Sequence, residues 1–439
     1  MGGSGRTISI PHLGRVEGHG GIFVTIANDE VRDVRMDIFE GSRYYEVLLK
    51  GKHFMEVQGI ITRVCAICSA THTVAALSAL EAALGIEPTD RVKTLRGLLV
   101  IGSTIESHAL HIFALALPDF LGFDSMIAMA RDHPEEVRFA LRLKQLGNRI
   151  QDLVGGRAIH PVNTLVGGFG KLPRRAELAV IRDELSGMLD PLMKFVELAR
   201  GIDVPAYTTA GTVYVALRPH EKGYRFRGSM LCTSRGEEYP LDGYRKVVHE
   251  FTVERSHAKH AALASGLDYR VGALARLRLW GHELSGVGRE AFELLFSAGV
   301  SDNVLLNNWA QLVELVHCVE RAMQICDLAC AMEYADSEMI DYDVRAGRGV
   351  GAVEAPRGTL IHEYELDDDG RVASADVITP TAQNLANIER DFREAVATML
   401  ADDPAIPDPE IKLGLEMVAR AYDPCISCSV HVTHLRDPR

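Results

Sequence analysis

Positive charge is in short supply in this chain. Its 439 residues carry 47 Lys and Arg against 60 Asp and Glu, a formal charge of −13. Binding phosphate needs a basic footprint, so the deficit argues against a nucleic-acid surface and against docking on anionic lipid. The start, Met1-Gly2-Gly3-Ser4-Gly5-Arg6, lacks the apolar core of a secretory signal and any twin-arginine pair. No uncharged apolar run of bilayer-spanning length is evident either. The expected location is the cytoplasm, unless the chain rides out on a partner. Cysteine is sparse too, and in a reducing compartment eight residues serve metals or cores rather than disulfides. The glycine-rich connector from Gly155 to Gly170 has no preceding strand and no G-K-[ST], which excludes a phosphate-binding loop. What remains is an ordinary globular composition, 47% hydrophobic and 24% charged, in a chain long enough for two or three domains.

Half of the scarce cysteines fall in two pairs of identical spacing. Cys65-Ala66-Ile67-Cys68 lies near the start and Cys425-Ile426-Ser427-Cys428 near the end. Two C-x-x-C pairs are more than so few cysteines give by chance. Four thiolates are soft ligands that suit zinc, an iron–sulfur cluster or a nickel-containing centre. Zinc ribbons hold their knuckles about 15 to 20 residues apart, whereas these pairs stand at opposite ends of the chain. The expectation is one metal site closed by four convergent sulfurs, with the intervening residues as its housing. Cys326 and Cys330 lie in an apolar helical pattern and read as core thiols.

Several neighbours are odd for a purely structural metal. Glu17 sits between Gly14 and Gly18, which would let the backbone pack closely and aim one carboxylate inward. His72 lies one helical turn after Cys68, and Arg357 is held between Pro356 and Gly358. Each also has a plain reading: a solvated turn for Glu17, a satisfied core histidine for His72, a surface ion pair for Arg357. Glu46, on its own, reads as a surface carboxylate. His108 and His111 need partners if buried, and structural hydrogen bonds would supply them.

The periodicity predicts a small antiparallel sheet over 7–39, a short helix within 41–51 and a helix from Ser69 to Leu84 stopped by Gly85. Further helices are expected over 90–117, 134–154, 174–200 and 301–333, with strand character over 202–255. Strands 359–366 and 372–378 flank an Asp368-Asp369-Gly370 turn. A helix then runs from Pro380 to about Leu400, with Thr381 or Asn384 as its cap. The fold class is α+β and helix-dominated: a central bundle of long helices, small antiparallel sheets and a peripheral β-rich insert. The segments are 1–60, 61–201, the insert 202–300, 301–431 and a terminal extension 432–439.

Six motifs then carry a resemblance. In order they are R-V-E-G-H at Arg15–His19, R-Y-Y-E at Arg43–Glu46, R-V-C-A-I-C-S-A-T-H at Arg63–His72, E-A-P-R-G at Glu354–Gly358, P-T-x-x-N at Pro380–Asn384 and D-P-C-I-S-C-S-V-H at Asp423–His431. Together they resemble the large, catalytic subunit of nickel–iron hydrogenases. The related subunit of respiratory complex I shares the fold but lacks the four cysteines. The resemblance implies nickel held by Cys65, Cys68, Cys425 and Cys428, with Cys68 and Cys428 bridging to an iron that carries cyanide and carbon monoxide. It implies Cys425 and Glu17 as successive proton carriers, Arg357 over the open metal face with Asp423 as its partner, and His72 donating to a bridging sulfur. Leu360, Pro380 and Thr381 would build the pocket for the diatomic ligands. Glu46, the carbonyl of Val377 and His431 would hold magnesium or iron.

The implied activity is reversible heterolytic cleavage of hydrogen. Electrons would pass to a small iron–sulfur subunit and toward NAD(P) through flavin and further iron–sulfur subunits, as in the cytoplasmic sulfhydrogenase-like group. Deazaflavin-linked, heterodisulfide-reductase-linked and hydrogen-sensing versions are alternatives, and a structural zinc protein is the alternative outside catalysis. Two features depart from the pattern. Ser107 stands where many members place an aspartate that partners the arginine. The chain also continues past His431, where a maturation protease cuts family precursors after nickel-insertion proteins have acted.

Overall fold

The computed structural model describes residues 5–333 and 335–430. Its architecture is helix-dominated α+β. Four long helices, Asp90–Leu110, Pro134–Gly155, Arg175–Arg200 and Asn307–Ala331, pack around one large core. The first continues through a π-helical turn, His111–Ala116, to Phe120. This stretch, Asp90–Phe120, is long and apolar enough to cross a membrane, which the sequence reading did not find. It is an interior helix here, 83% buried in its most apolar window, because three other helices surround it.

The Ser69–Leu84 helix explains how the first cysteine pair is held. It is rich in alanine, the best helix former, and ends where Gly85 takes a left-handed φ of 72°. There the Gly85 and Ile86 N–H groups donate to the carbonyls of Ala82 and Glu81. Its small side chains let it lie directly on the strand Gly347–Ala355. Gly347, Gly349 and Gly351 share the face against the helix, and a Cβ added at them would come within 2.1, 2.1 and 2.4 Å of the carbonyl oxygens of Ala83, Ala79 and Ala75. Strand and helix therefore run antiparallel at contact distance. The strand's far end, leading to Arg357, arrives at the helix start beside Cys68.

That strand opens a three-stranded antiparallel sheet with Gly358–Leu366 and Val372–Ile378. The N-terminal sheet, Arg6–Ile10, Gly20–Ala27 and Glu30–Ile38, is antiparallel as expected. It shares a second core with the C-terminal helices Pro380–Asp402 and Asp408–Ala421. Joining the two ends of the chain in one core is what brings Glu17 to the second cysteine pair.

Four expectations need correction. Strands occupy the insert only up to Arg270, and Ala273–Trp280 and Gly286–Leu295 are helical. The insert is not merely peripheral, since Ala352, Ile361 and Ile378 of the hairpin sheet complete its apolar core. Thr381 and Asn384 do not cap their helix: Thr379 holds the cap position without a side-chain bond, and both residues serve distant backbone instead. Cys326 is buried as expected, but Cys330 is only half-buried, its Sγ 3.6 Å from the Arg175 carbonyl. Both predicted pieces of the tail, His431 and 432–439, lie outside the described residues.

Candidate metal centre

The four sulfurs of Cys65, Cys68, Cys425 and Cys428 lie within 4.8 Å of one another, all buried. Cys65 sits in extended backbone before the helix and Cys68 at its N-terminal end, where the Cys68 N–H donates to Cys65 Sγ at 3.3 Å. Cys425 Sγ is central: 3.3 Å from Cys65 Sγ, 3.9 Å from Cys68 Sγ and 2.9 Å from Cys428 Sγ. Sulfurs bound tetrahedrally at about 2.3 Å from a metal stand about 3.8 Å apart, so the donor set brackets the spacing that a thiolate-bound metal requires. Hydrogen bonding from Cys425 and Cys428, with the Arg357 charge adding to it, pulls the Cys68 thiol well down. Cys425 is pushed up, first by its contact with Cys428, and Cys428 is pushed up by burial. Packed together without a cation, four thiols cannot all ionise.

The second pair is held by side chains from three other regions. Ile426–Ser429 is a single helical turn. The Cys425 N–H donates to Thr381 Oγ1 at 3.0 Å, and the Ile426 N–H to the Glu17 carbonyl at 3.0 Å. The half-buried Glu17 carboxylate accepts from the Ser427 N–H at 3.0 Å and the Ser427 hydroxyl at 2.5 Å, and Cys425 Sγ stands 3.3 Å from Glu17 Oε2. Glu17 is thus no solvated turn residue. Asp423 takes a left-handed φ of 49° to begin this turn.

Arg357 is buried over the sulfurs rather than paired at the surface. Its Nη1 donates to Cys68 Sγ at 3.2 Å, its Nη2 to Asp423 Oδ1 at 2.9 Å and its Nε to the Asp423 carbonyl at 2.6 Å. Burial opposes its charge, but Asp423 and the cysteine sulfurs override this and hold it protonated. Ser107 makes no bond to it, and its buried hydroxyl has no partner among the described residues. Instead Gln311 Nε2 donates to the second Asp423 oxygen at 3.3 Å, and Gln311 in turn bonds His111. His108 pairs with Glu314 at 2.8 Å. These two histidines are structural, as their plain reading had it.

The turn bearing Arg357 has an anchor that no motif revealed. Arg276, from the insert, donates to both oxygens of Glu314 at 2.6 and 2.7 Å, to Glu354 at 3.0 Å, and to the carbonyls of Ala355 and Pro356 at 3.0 and 3.1 Å. All are buried. A lone Arg in one helix and a lone Glu in another give no signal until the fold joins them.

His72 is buried, and burial lowers its pKa to about 4. Its Nε2 lies 4.0 Å from Cys428 Sγ. Leu360 and Thr381 are buried, as is Pro380, which opens the last long helix. Glu46 is buried, not on the surface. Its Oε1 accepts the Val377 N–H at 3.1 Å and the Lys259 ammonium at 3.3 Å, while Oε2 has no partner among the described residues. Burial raises the Glu46 pKa. Lys259 also reaches Glu250 at 2.8 Å, and sequence reasoning found neither residue. An unpaired buried carboxylate oxygen suits a cation, although an ammonium already shares the site.

Residues 43–139 and 282–431 match the family model described as nickel-dependent hydrogenase. Sulfhydrogenase 1 subunit alpha of Pyrococcus furiosus is 40% identical over 98% of this chain and 98% of its own length. Sulfhydrogenase 2 subunit alpha of the same organism is 37% identical over 98% and 100%. Among solved structures, an NAD+-reducing [NiFe]-hydrogenase in the H2-reduced state superposes with a TM-score of 0.88 at 26% identity, covering 98% of this chain and 100% of that one. With its cysteines converging as that family requires, the chain belongs to the nickel-dependent hydrogenases, as a large, catalytic subunit.

Proposed function

We propose that this subunit splits hydrogen reversibly at a nickel–iron centre held by Cys65, Cys68, Cys425 and Cys428, with Cys425 and then Glu17 as its first proton carriers. The observation that carries the reading is the buried set of four sulfurs with Glu17 Oε2 only 3.3 Å from Cys425 Sγ. When bound, the centre supplies the Lewis-acidic, redox-active surface on which hydrogen is divided into protons and electrons. All four cysteines would hold the nickel, and Cys68 and Cys428 would hold the iron as well.

Cys425 Sγ receives the proton and Glu17 Oε2 takes it next, with the Ser427 hydroxyl fixing the carboxylate. Arg357 presents a permanent cation to the open side and Asp423 fixes its plane. Thr381 keeps a hydroxyl hydrogen free to donate while its oxygen holds the Cys425 backbone, which suits a cyanide on the iron. Leu360 and Pro380 supply apolar walls for cyanide and carbon monoxide. Glu46 and the carbonyl of Val377 would hold the second cation, magnesium or iron, together with His431 as the family resemblance implies, and Lys259 is an additional positive group beside Glu46. Cleavage after His431 by a maturation protease would complete assembly.

Electrons leave through a small iron–sulfur subunit toward NAD(P), with flavin in a further partner. The sulfhydrogenase alpha subunits and the NAD+-reducing enzyme among its relatives favour that route. Elemental analysis of the purified complex tests the core of this reading: one nickel per large subunit is expected, with iron in excess because the partner's clusters add to it, and hydrogen uptake to an artificial dye. Zinc in place of nickel would overturn it.

A further inference from the structure

Behind the cysteines, two histidines and a tyrosine form a buried row that the proton route does not use. His72 Nδ1 lies 3.0 Å from His362 Nε2, and His362 Nδ1 lies 2.7 Å from the Tyr364 hydroxyl. Its inner end is the 4.0 Å approach of His72 Nε2 to Cys428 Sγ. His72 is 1% exposed, and His362 and Tyr364 are fully buried. The two strand residues are two apart, so both side chains leave the same face of Gly358–Leu366.

Hydrogen counting gives this row a direction. A neutral imidazole offers one donor and one acceptor, and each contact can hold one hydrogen. The two rings must therefore share a tautomer: hydrogens on both Nε2 atoms or on both Nδ1 atoms. A metal-ligating Cys428 is a thiolate and can only accept. His72 must then carry its hydrogen on Nε2 and accept at Nδ1. His362 must do the same, and the Tyr364 O–H must donate into His362 Nδ1.

We propose that Tyr364 and His362 are positioning residues that lock His72 in its Nε2–H tautomer and aim that hydrogen at Cys428. The proposal rests on Cys428 being a metal ligand. A hydrogen bond to a ligating thiolate withdraws charge from the metal and raises its reduction potential. A phenol outside the four-sulfur set would thereby set a property of the centre. Tyr364→Phe keeps the ring and its packing but removes the donor. The Nε2–H tautomers of His362 and His72 are then no longer enforced from this end of the row, and the hydrogen aimed at the thiolate is no longer fixed.

The test uses the holoenzyme. Tyr364→Phe should keep wild-type nickel and iron content while the midpoint potential of the nickel centre, followed by electron paramagnetic resonance, shifts downward. In a His72→Ala background the same substitution should produce no shift. An unchanged potential in Tyr364→Phe with full metal content overturns the proposal. So does an equal shift without His72, which would mark Tyr364 as a packing residue. A second measurement needs no metal: nitrogen-15 spectra of the histidine-labelled, metal-free full chain should show His72 and His362 in the same tautomer. Opposite tautomers overturn the row itself. Absence of nickel from the wild-type complex would instead remove the reading of Cys428 as a ligand, leaving the tautomer result to decide the row.

Discussion

The two cysteine pairs share a spacing and are held by opposite means. Cys65 and Cys68 lead into a full-length helix whose backbone rests on three glycines of a neighbouring strand. Cys425 and Cys428 sit on a single helical turn that Glu17, Thr381 and Asp423 tie down through polar contacts. The first pair is fixed by close packing, which tolerates almost no added volume. The second is fixed by hydrogen bonds, which tolerate shape but not the loss of a polar atom. Four sulfurs must close on one site, so a rigid half and a more local half are a sensible division. The half made of one turn is also the one beside Glu17, on the proposed proton route.

The largest expected effect comes from attacking the rigid half. Gly349→Val places branched carbon where even a Cβ would be 2.1 Å from the Ala79 carbonyl. It should cost about 3 kcal/mol or more, read as a lower Tm and loss of nickel. Normal Tm and nickel content would mean that the helix does not depend on this seat. Next is the polar half. Glu17→Gln keeps the shape and the Ser427 contacts but not the basicity, so H/D exchange and turnover should fall about 10²- to 10⁴-fold with metal content intact. Full exchange would take Glu17 off the proton route.

The third prediction concerns Arg357, which touches both halves, and its Arg276 anchor. Burial opposes the Glu314 charge, but Arg276 overrides it and holds the pKa at about 2, below the ordinary 4.5. A depressed carboxylate contributes stability that is present above the unfolded value and lost as pH falls through the folded one. Acid titration of Tm from 4.5 toward 2 should therefore reveal a loss on the order of 3 kcal/mol. Glu314→Gln should remove that slope, and an identical acid limb would break the assignment. The smallest effect is at Thr381. Thr381→Val leaves the buried Cys425 N–H without an acceptor, at a cost of about 1 to 3 kcal/mol, while Thr381→Ser restores it. Equal Tm values for the two variants would show that the turn does not rely on this bond.

Legibility followed the same division. The helix from Ser69 to Leu84, its stop at Gly85, the N-terminal sheet and the hairpin around Gly370 were readable because each is set by local periodicity and turn chemistry. The roles of Thr381 and Asn384 were not. Near a helix start both resemble caps, yet the C-terminal turn and Val271 compete for them and win. Glu46 looked like a surface carboxylate because nothing local announces its burial beside Lys259.

By itself the sequence determined the four sulfur ligands, the order of the motifs around them and the local elements that carry each one. Those follow from residue type and short-range spacing. Only the tertiary structure decided that Arg276 braces the Arg357 turn, that Gln311 holds the second oxygen of Asp423, the carboxylate that pairs with Arg357, and that His362 and Tyr364 extend His72 away from the metal side. The physical reason is that a buried polar group chooses its partner by proximity after folding, and proximity between distant residues has no period to read.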